Sequence, residues 1–473
     1  MKQAFFTWLL CATFLSSAAA FAEEPAAGME AKPLGGERVD VAPTADQQAA
    51  GSGESADKWA QADATIGAVG PKAHEVTVTL TEAIQRALDN SPRLKASEAS
   101  FLASQGERRQ ADALPNPGIG VDVENVGGGK ELREGNPRQT TFGVSQQIEV
   151  GGKRSARTDI AEQGVTLARF DNEAARLDLI RDVQLAYADA VAAQVQVVIA
   201  EDEKTRATAM LKTVKQRVGA AREPLIQQSK AEVAFASAEI GVEQAQRQLA
   251  AAKKTLSSLW QGEATFTLDE ATFFNIAPPQ ILLGSSDRLK RNPDFARYEN
   301  ELLKRKAALD LERANAFPDP TVTAGVRNYE RFSGQTFVVG VSFPIPVFNA
   351  NRGNIEKARQ ELSQAEFNNE TSALALNANL VKEQAELETA YQQAASMREK
   401  ILPSAEKAFR LSREAYGVGK LPYLEVLDAQ RTLFDTREQY LTTLKNYHRA
   451  KAEVERLTAE HKADAPIQEM NHE

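Results

Sequence analysis

The sequence predicts a mainly α-helical chain with a β-barrel portion, written as two copies of one architecture. Three observations predict it. Motifs recur in the same order about 200 residues apart. Stretches of roughly 60 residues lack helix breakers. Four short segments place apolar residues at every second position. Composition narrows the class. Among 473 residues, 56 Lys+Arg against 65 Asp+Glu give a net charge of −9, and 42% are hydrophobic. The mean hydropathy is −0.40. A polytopic helical membrane protein needs apolar runs of about 20 residues per span, and nucleic acid favours basic partners; both are excluded. One cysteine, Cys11, and four histidines exclude a disulfide framework, a thiolate cluster and a His-rich metal site. No cofactor is expected.

The chain begins with Lys2, a short apolar run (FFTWLLCATF) and Ala20-Phe21-Ala22. This is the layout of a cleaved secretory signal peptide over 1–22. Residues 23–75 are rich in Ala, Gly, Pro and acids with no sustained period, which predicts a flexible leader. Two copies follow, over 76–265 and 266–460, with a polar tail over 461–473. LDNSPRLK is answered by LKRNPDFA, ADALPNP by ANAFPDP, FGVSQQIEV by VGVSFPIPV, and QRVGAAREPL by AYGVGKLPYL.

Each copy opens on a helix. Residues 80–113 are helical in composition, capped by Thr79 or Thr81 and interrupted at Pro92. The period then changes to two. Ile119, Val121 and Val123 alternate with Gly120, Asp122 and Glu124; Phe142, Val144 and Ile148 follow beyond a Gly-rich stretch. In the second copy Val322, Ala324 and Val326 form one set, and Phe337, Val339, Val341 and Phe343 the other. Such segments are membrane-barrel strands or half-buried strands of a water-soluble sheet.

The helices decide between them. Residues 155–217 contain no Pro and a single Gly, enough for a helix on the order of 90 Å. A second run reaches about 259, and the second copy repeats the pair over 355–416, bearing Pro403, and 424–460. Leu433, Tyr440, Tyr447 and Val454 fall at sevens, as do Leu427, Phe434 and Leu441; two seams on one helix mean neighbours on both sides. Ile180, Val183, Tyr187, Val191 and Val195 make a similar stripe. These long hairpins build a helical wall wetted on both faces. Four strands cannot seal themselves against lipid, where each unpaired edge group costs several kcal/mol. Three copies supply twelve strands and a barrel wide enough to be wet inside.

From about 79 to 457 the chain resembles the TolC-like outer-membrane efflux ducts. The resemblance implies a homotrimer with a twelve-stranded barrel in outer-membrane lipid, on a long periplasmic α-barrel. It also implies a mixed equatorial belt, drawn from TFTLDEATFFNIAPPQ and the chain after Glu455. Val218-Gly219 and Val418-Gly419 resemble the family's tip motifs, which meet the periplasmic membrane-fusion adaptor. VGKLPYLEVLDAQ carries over two acids of the periplasmic mouth, Glu425 and Asp428, and Tyr416 falls at a tyrosine that helps hold the mouth shut. The first copy has Gln227 where an acid would stand. QQIEVGGKRSAR is similar to a segment of the CzcC-like heavy-metal branch, which implies an inner-membrane resistance-nodulation-division pump and metal-cation cargo. Mechanically, Gly151-Gly152 is a strand-to-helix corner, with Lys153 and Arg154 expected near lipid headgroups. A duct for drug or protein export and a periplasmic coiled-coil scaffold are the alternatives. Catalysis is not expected: phosphate-loop, HExxH and GxSxG patterns are all missing.

Overall fold

A computed structural model of the protein describes residues 76–127, 135, 137–279, 289–331 and 334–462. The signal-peptide and leader readings, and nearly all of the tail, lie outside them. The first half runs β1 (Val76–Val78), α1 (Leu80–Asn90), α2 (Pro92–Ala111), β2 (Gly118–Glu124), β3 (Gln139–Gln147), α3 (Lys153–Gly219) and α4 (Leu225–Ser258). The second begins with β4 (Phe266–Leu268) and a short α5 (Ala271–Phe274), then runs α6 (Pro293–Ala314), β5 (Thr321–Tyr329) and β6 (Gln335–Ser342). It ends with α7 (Arg352–Ser396), a π-turn (Met397–Ile401), α8 (Leu402–Gly417) and α9 (Tyr423–Thr458). Both halves therefore pass from helix to two strands to a long helical hairpin.

Local chemistry sets the boundaries. The Thr79 hydroxyl accepts from the Glu82 N–H at 3.3 Å and caps α1. Pro92 at the first position of α2 forces the break at Ser91. Asn292 caps α6 by accepting from the Asp294 N–H at 2.8 Å, and its amide donates to the Leu457 carbonyl at 2.8 Å. α3 has 67 residues, which at 1.5 Å each is about 100 Å. Its counterpart holds Pro403, which lacks an N–H and crowds the preceding turn. The π-turn absorbs that conflict, with the Leu402 N–H bonded to the Met397 carbonyl.

The long helices lie in the order α4, α3, α9, then α7 with α8. α9 uses both expected seams. Leu433, Tyr440, Tyr447 and Val454 are buried, as are Phe434 and Leu441. Thr443, on the first side, meets Met397. Arg437, on the second, donates to Asp202 of α3 at 2.8 Å and Glu406 of α8 at 3.0 Å.

A belt crosses the middle of this wall. β1 pairs in parallel with β4, Val76 opposite Phe266 and Val78 opposite Leu268. The Tyr187 hydroxyl lies 3.0 Å from the carbonyls of both Val78 and Asp269, and burial pushes its pKa above the usual phenol range. Gln194 brackets Leu268, donating to its carbonyl at 3.1 Å and accepting from its N–H at 3.2 Å. From α9, the Tyr447 hydroxyl meets the backbone of Ala277, and His448 stacks on Phe273 with ring centroids 5.0 Å apart. Burial holds His448 below its ordinary pKa. α3 is long and apolar enough to cross a membrane by length and composition; its stripe from Ile180 to Val195 is instead packed within the chain.

The four long strands form one antiparallel sheet in the order β2-β3-β5-β6. Its central pair joins the two halves, with Phe142 opposite Val326. β2 and β6 are left as edges.

Candidate functional site

Register decides what each face of the sheet presents. Ile119 stands opposite Val144 and Val121 opposite Phe142; Ala324 stands opposite Val339 and Val326 opposite Phe337. All of these share one face. Ile119 and Phe337 are each 87% exposed there, and Val339 75%. The other face carries a row of small residues, Gly120, Gly143 and Gly325, and a polar row, Asp122, Thr141, Arg327 and Thr336. Arg327 donates to the Thr141 hydroxyl at 3.0 Å and pairs with Glu124 at 3.1 Å. A water-soluble sheet hides its apolar face. This one leaves it uncovered, as the lipid side of a barrel wall does.

Below the sheet, Gly151 and Gly152 turn strand into helix with φ of 74° and 78°, a conformation that glycine adopts without a Cβ penalty. The expectation for Lys153 is corrected here. Its ammonium lies 2.7 Å from Asp319 of the second half, both side chains about one-tenth exposed, so it is an internal staple rather than a headgroup contact. Asp319 also accepts from the Val150 N–H at 3.0 Å and the Gln147 amide at 3.1 Å. Burial alone would raise the Asp319 carboxyl; Lys153 and these two donors outweigh it and hold the pKa below the usual value. Arg154 pairs with Asp112 at 2.9 Å. Arg157 grips Glu149 through two bonds of 2.6 and 3.1 Å and lowers its pKa. Two residues that the sequence reading passed over, Asp319 and Glu149, thus fix the corner. Asp319 stands within PDP, the counterpart of the first-half PNP, where a change from Asn to Asp was the available signal.

At the far end lie the hairpin tips. α8 ends in a left-handed Gly419, φ 80°, with Lys420 N–H bonded to the Ala415 carbonyl at 2.8 Å. α3 ends with the same bond pattern, Arg222 to Arg217 at 2.9 Å, and the left-handed residue is Ala221, φ 55°. Pro224 and Pro422 then cap the return helices. The two Val-Gly pairs are therefore not equivalent. Val218-Gly219 are the last helical residues of α3, matching Tyr416-Gly417, whereas Val418-Gly419 lie just beyond α8. The alignment on Val-Gly is two residues out; the two prolines give the true register. In that register Gln227 matches Glu425, and Lys230 matches Asp428.

Tyr416 is buried at 1% exposure. The Arg217 guanidinium sits 4.5 Å over its ring, donates to its carbonyl at 2.8 Å and lies 3.6 Å from Glu223. Tyr423 packs beside it, ring centroids 6.0 Å apart. Burial raises both phenols, Tyr423 to about 12. The Tyr416 hydroxyl has no hydrogen-bond partner among the described residues. Glu425 and Asp428 are exposed one turn apart on α9. Arg217 ties the two tips together; it lies within QRVGAAREPL, but its role was not read from that motif. Among the described residues no cluster of three or more His, Cys, Asp or Glu is arranged to hold a metal ion.

The model for outer membrane efflux proteins matches residues 83–262 and again 284–460. The chain belongs to that family. An efflux protein of the outer membrane explains why one sheet face is apolar and bare while the helices below it are wetted. The chain is 29% identical over 384 residues to the cobalt-zinc-cadmium resistance protein CzcC of Cupriavidus metallidurans, covering 80% of this chain and 90% of that one. It is 27% identical over 295 residues to the nickel-cobalt-cadmium resistance protein NccC of Alcaligenes xylosoxydans, covering 62% and 67%. A crystal structure of CusC, described with its transmembrane channel formation, superposes with a TM-score of 0.70 at 20% identity, over 83% of this chain and 95% of that one. The fold is that of these channels.

Proposed function

We propose that this efflux protein is the outer-membrane duct of a tripartite resistance-nodulation-division system and passively conducts heavy-metal cations to the exterior. Three copies close a twelve-stranded barrel above a helical shaft. The hairpin tips, with Val218, Gly219, Val418 and Gly419, meet a periplasmic adaptor, and Tyr416, Glu425 and Asp428 form the periplasmic mouth. The observation that carries the duct is the four-stranded sheet with an uncovered apolar face and two open edges. The metal cargo rests on the likeness to CzcC and NccC. Three Glu425 and three Asp428 around one mouth would draw cations toward it. We assign selectivity to the pump, since among the described residues no cluster of His, Cys, Asp or Glu is arranged to hold a metal ion.

Deleting the gene and measuring growth in zinc, cobalt, cadmium, nickel, copper and silver tests the cargo. Lowered tolerance to one or more, restored by the intact gene, is the expected result. Unchanged tolerance to all six, with new sensitivity to dyes and detergents, would transfer the duct to drug export.

A further inference from the structure

We infer that Arg327 sets the charge at the barrel's exit, where with Glu124 and Asp122 it forms a ring that attracts cations yet releases them. The inference deepens the proposed duct and rests on its shared barrel. The ring sorts ions by charge; telling one metal from another is left to the pump. The strands keep their charges together. β2, β3, β5 and β6 contain three charged residues, Asp122, Glu124 and Arg327. Register puts all three on the face opposite the bare apolar one, Asp122 across from Thr141 and Thr141 across from Arg327. In a barrel wall that face lines the wet interior. The three stand toward the strand ends farthest from the Gly151-Gly152 corner, where the duct opens to the exterior. Nearer the corner the same face carries Gly120, Gly143, Gly325 and Gly340 and no charge.

Side-chain geometry gives Arg327 its part. From β5 it reaches over β3 to Glu124 on β2, with its guanidinium 3.1 Å from the carboxylate. On the way it donates to the Thr141 hydroxyl at 3.0 Å. The Arg327 side chain is 27% exposed and that of Glu124 51%, so the pair stays wetted and is a weak strut for the sheet. Its effect on passing ions is larger. It leaves one net negative charge per chain on the inner face of the strands. Three copies then carry three such charges, where six would stand without Arg327. Twelve strands about 4.8 Å apart and tilted about 40° enclose a backbone radius on the order of 12 Å. Side chains reach inward from that wall, so an ion on the axis passes within about one Debye length, ~8 Å at physiological salt. Conduction needs enough attraction for entry and too little for the ion to stay. Arg327 holds the ring between those limits for a divalent cation.

Planar-bilayer recordings of the full chain, with zinc chloride added on the exterior side, test the ring. In Arg327→Gln, block by zinc should strengthen roughly five- to tenfold, the effect of three screened unit charges about one Debye length from a divalent ion. The preference for potassium over chloride should rise with it. Glu124→Gln should weaken the block and lower the preference by a similar factor. Arg327→Lys keeps the charge and should stay within about twofold of the native chain. The deciding variant joins Glu124→Gln to Arg327→Gln. It has the native net charge without the bridge, so block and preference should return to within about twofold of native. Block and preference unmoved by either single change overturn the inference. So does a double variant as far from native as Arg327→Gln, since the pair would then be a strut whose loss deforms the barrel. A native chain that conducts nothing overturns the duct reading itself, which is a separate failure.

Discussion

Lys153 and Asp319 bring opposite charges together at the corner just below the sheet, where one half meets the other, with little water around them. Removing one partner of such a pair leaves the other charge stranded, at about 3–5 kcal/mol. Asp319→Asn should therefore lower the unfolding midpoint of the detergent-solubilised protein, while Arg154→Gln, at an exposed pair, should change it little. The pH dependence has a definite sign. Asp319 and Glu149 both have lowered folded-state pKa values. Their stabilisation is complete above the ordinary carboxylate range, near 4, and is lost as pH falls through the lower folded values. Thermal scans from pH 7 to 3 should fall off only at the acid end, with a shallower limb in Asp319→Asn. The tips carry a second charge argument. Because Lys230 stands where the second half has Asp428, the counterpart of that acid is basic, whereas the counterpart of Glu425 is the neutral Gln227. Lys230→Ala should strengthen block of the conducting pore by trivalent cations by roughly fivefold, about 1 kcal/mol of attraction in a wet mouth. The pair Glu425→Ala and Asp428→Ala should weaken the block and raise conductance. Planar-bilayer recordings measure both.

Among the elements, those legible in the sequence were the ones that local rules define. α3 follows from a stretch without Pro, and the seams of α9 from heptads whose members are buried, Leu427 only in part. β2, β3, β5 and β6 follow from strict alternation. β1 did not show, since three residues hold no period; it exists because β4 offers it an edge and Tyr187 fixes the junction. Nor did the π-turn, which answers Pro403 through backbone geometry alone. At the candidate site the Gly151-Gly152 corner was legible as a motif, while the partners of Arg217, Glu149 and Asp319 lie 8 to 199 residues away along the chain, and residue spacing alone did not join them. The small-residue row on the inner face makes a sharper prediction for the sheet. A Cβ at Gly325 would lie 2.7 Å from the Phe142 carbonyl and 3.1 Å from the Gly143 Cα, both backbone, whereas one at Gly120 meets nothing within 4 Å. Gly325→Ala should part β3 from β5 and sharply reduce folded protein in outer-membrane fractions. Gly120→Ala should leave it unchanged.

In the proposed trimer, duplication would make six similar joints, of which only those inside a chain would carry the buried staple. At a joint between copies, Asn116 stands in the place of Asp319 and Arg352 in the place of Lys153. Both α7 and α3 begin just after a left-handed residue, Asn351 and Gly152, so Arg352 starts its helix as Lys153 does. Arg352 is exposed in the single chain and would face a neutral amide in the neighbour. The joints between copies are then the weaker ones, and heating in mild detergent should separate subunits before the helices melt. Asn116→Asp supplies the missing carboxylate at all three seams. A partly exposed pair contributes about 1 kcal/mol, so three add about 3 kcal/mol to an assembly that dissociates as a unit. The temperature at which the assembly comes apart on semi-native gels should rise, while the helical melting curve of the separated chain stays where it was. Adding Arg352→Ala to Asn116→Asp should return dissociation to the original temperature or below it. A rise that survives this second change would mean that the new carboxylate finds a different partner and that the two corners are not built alike.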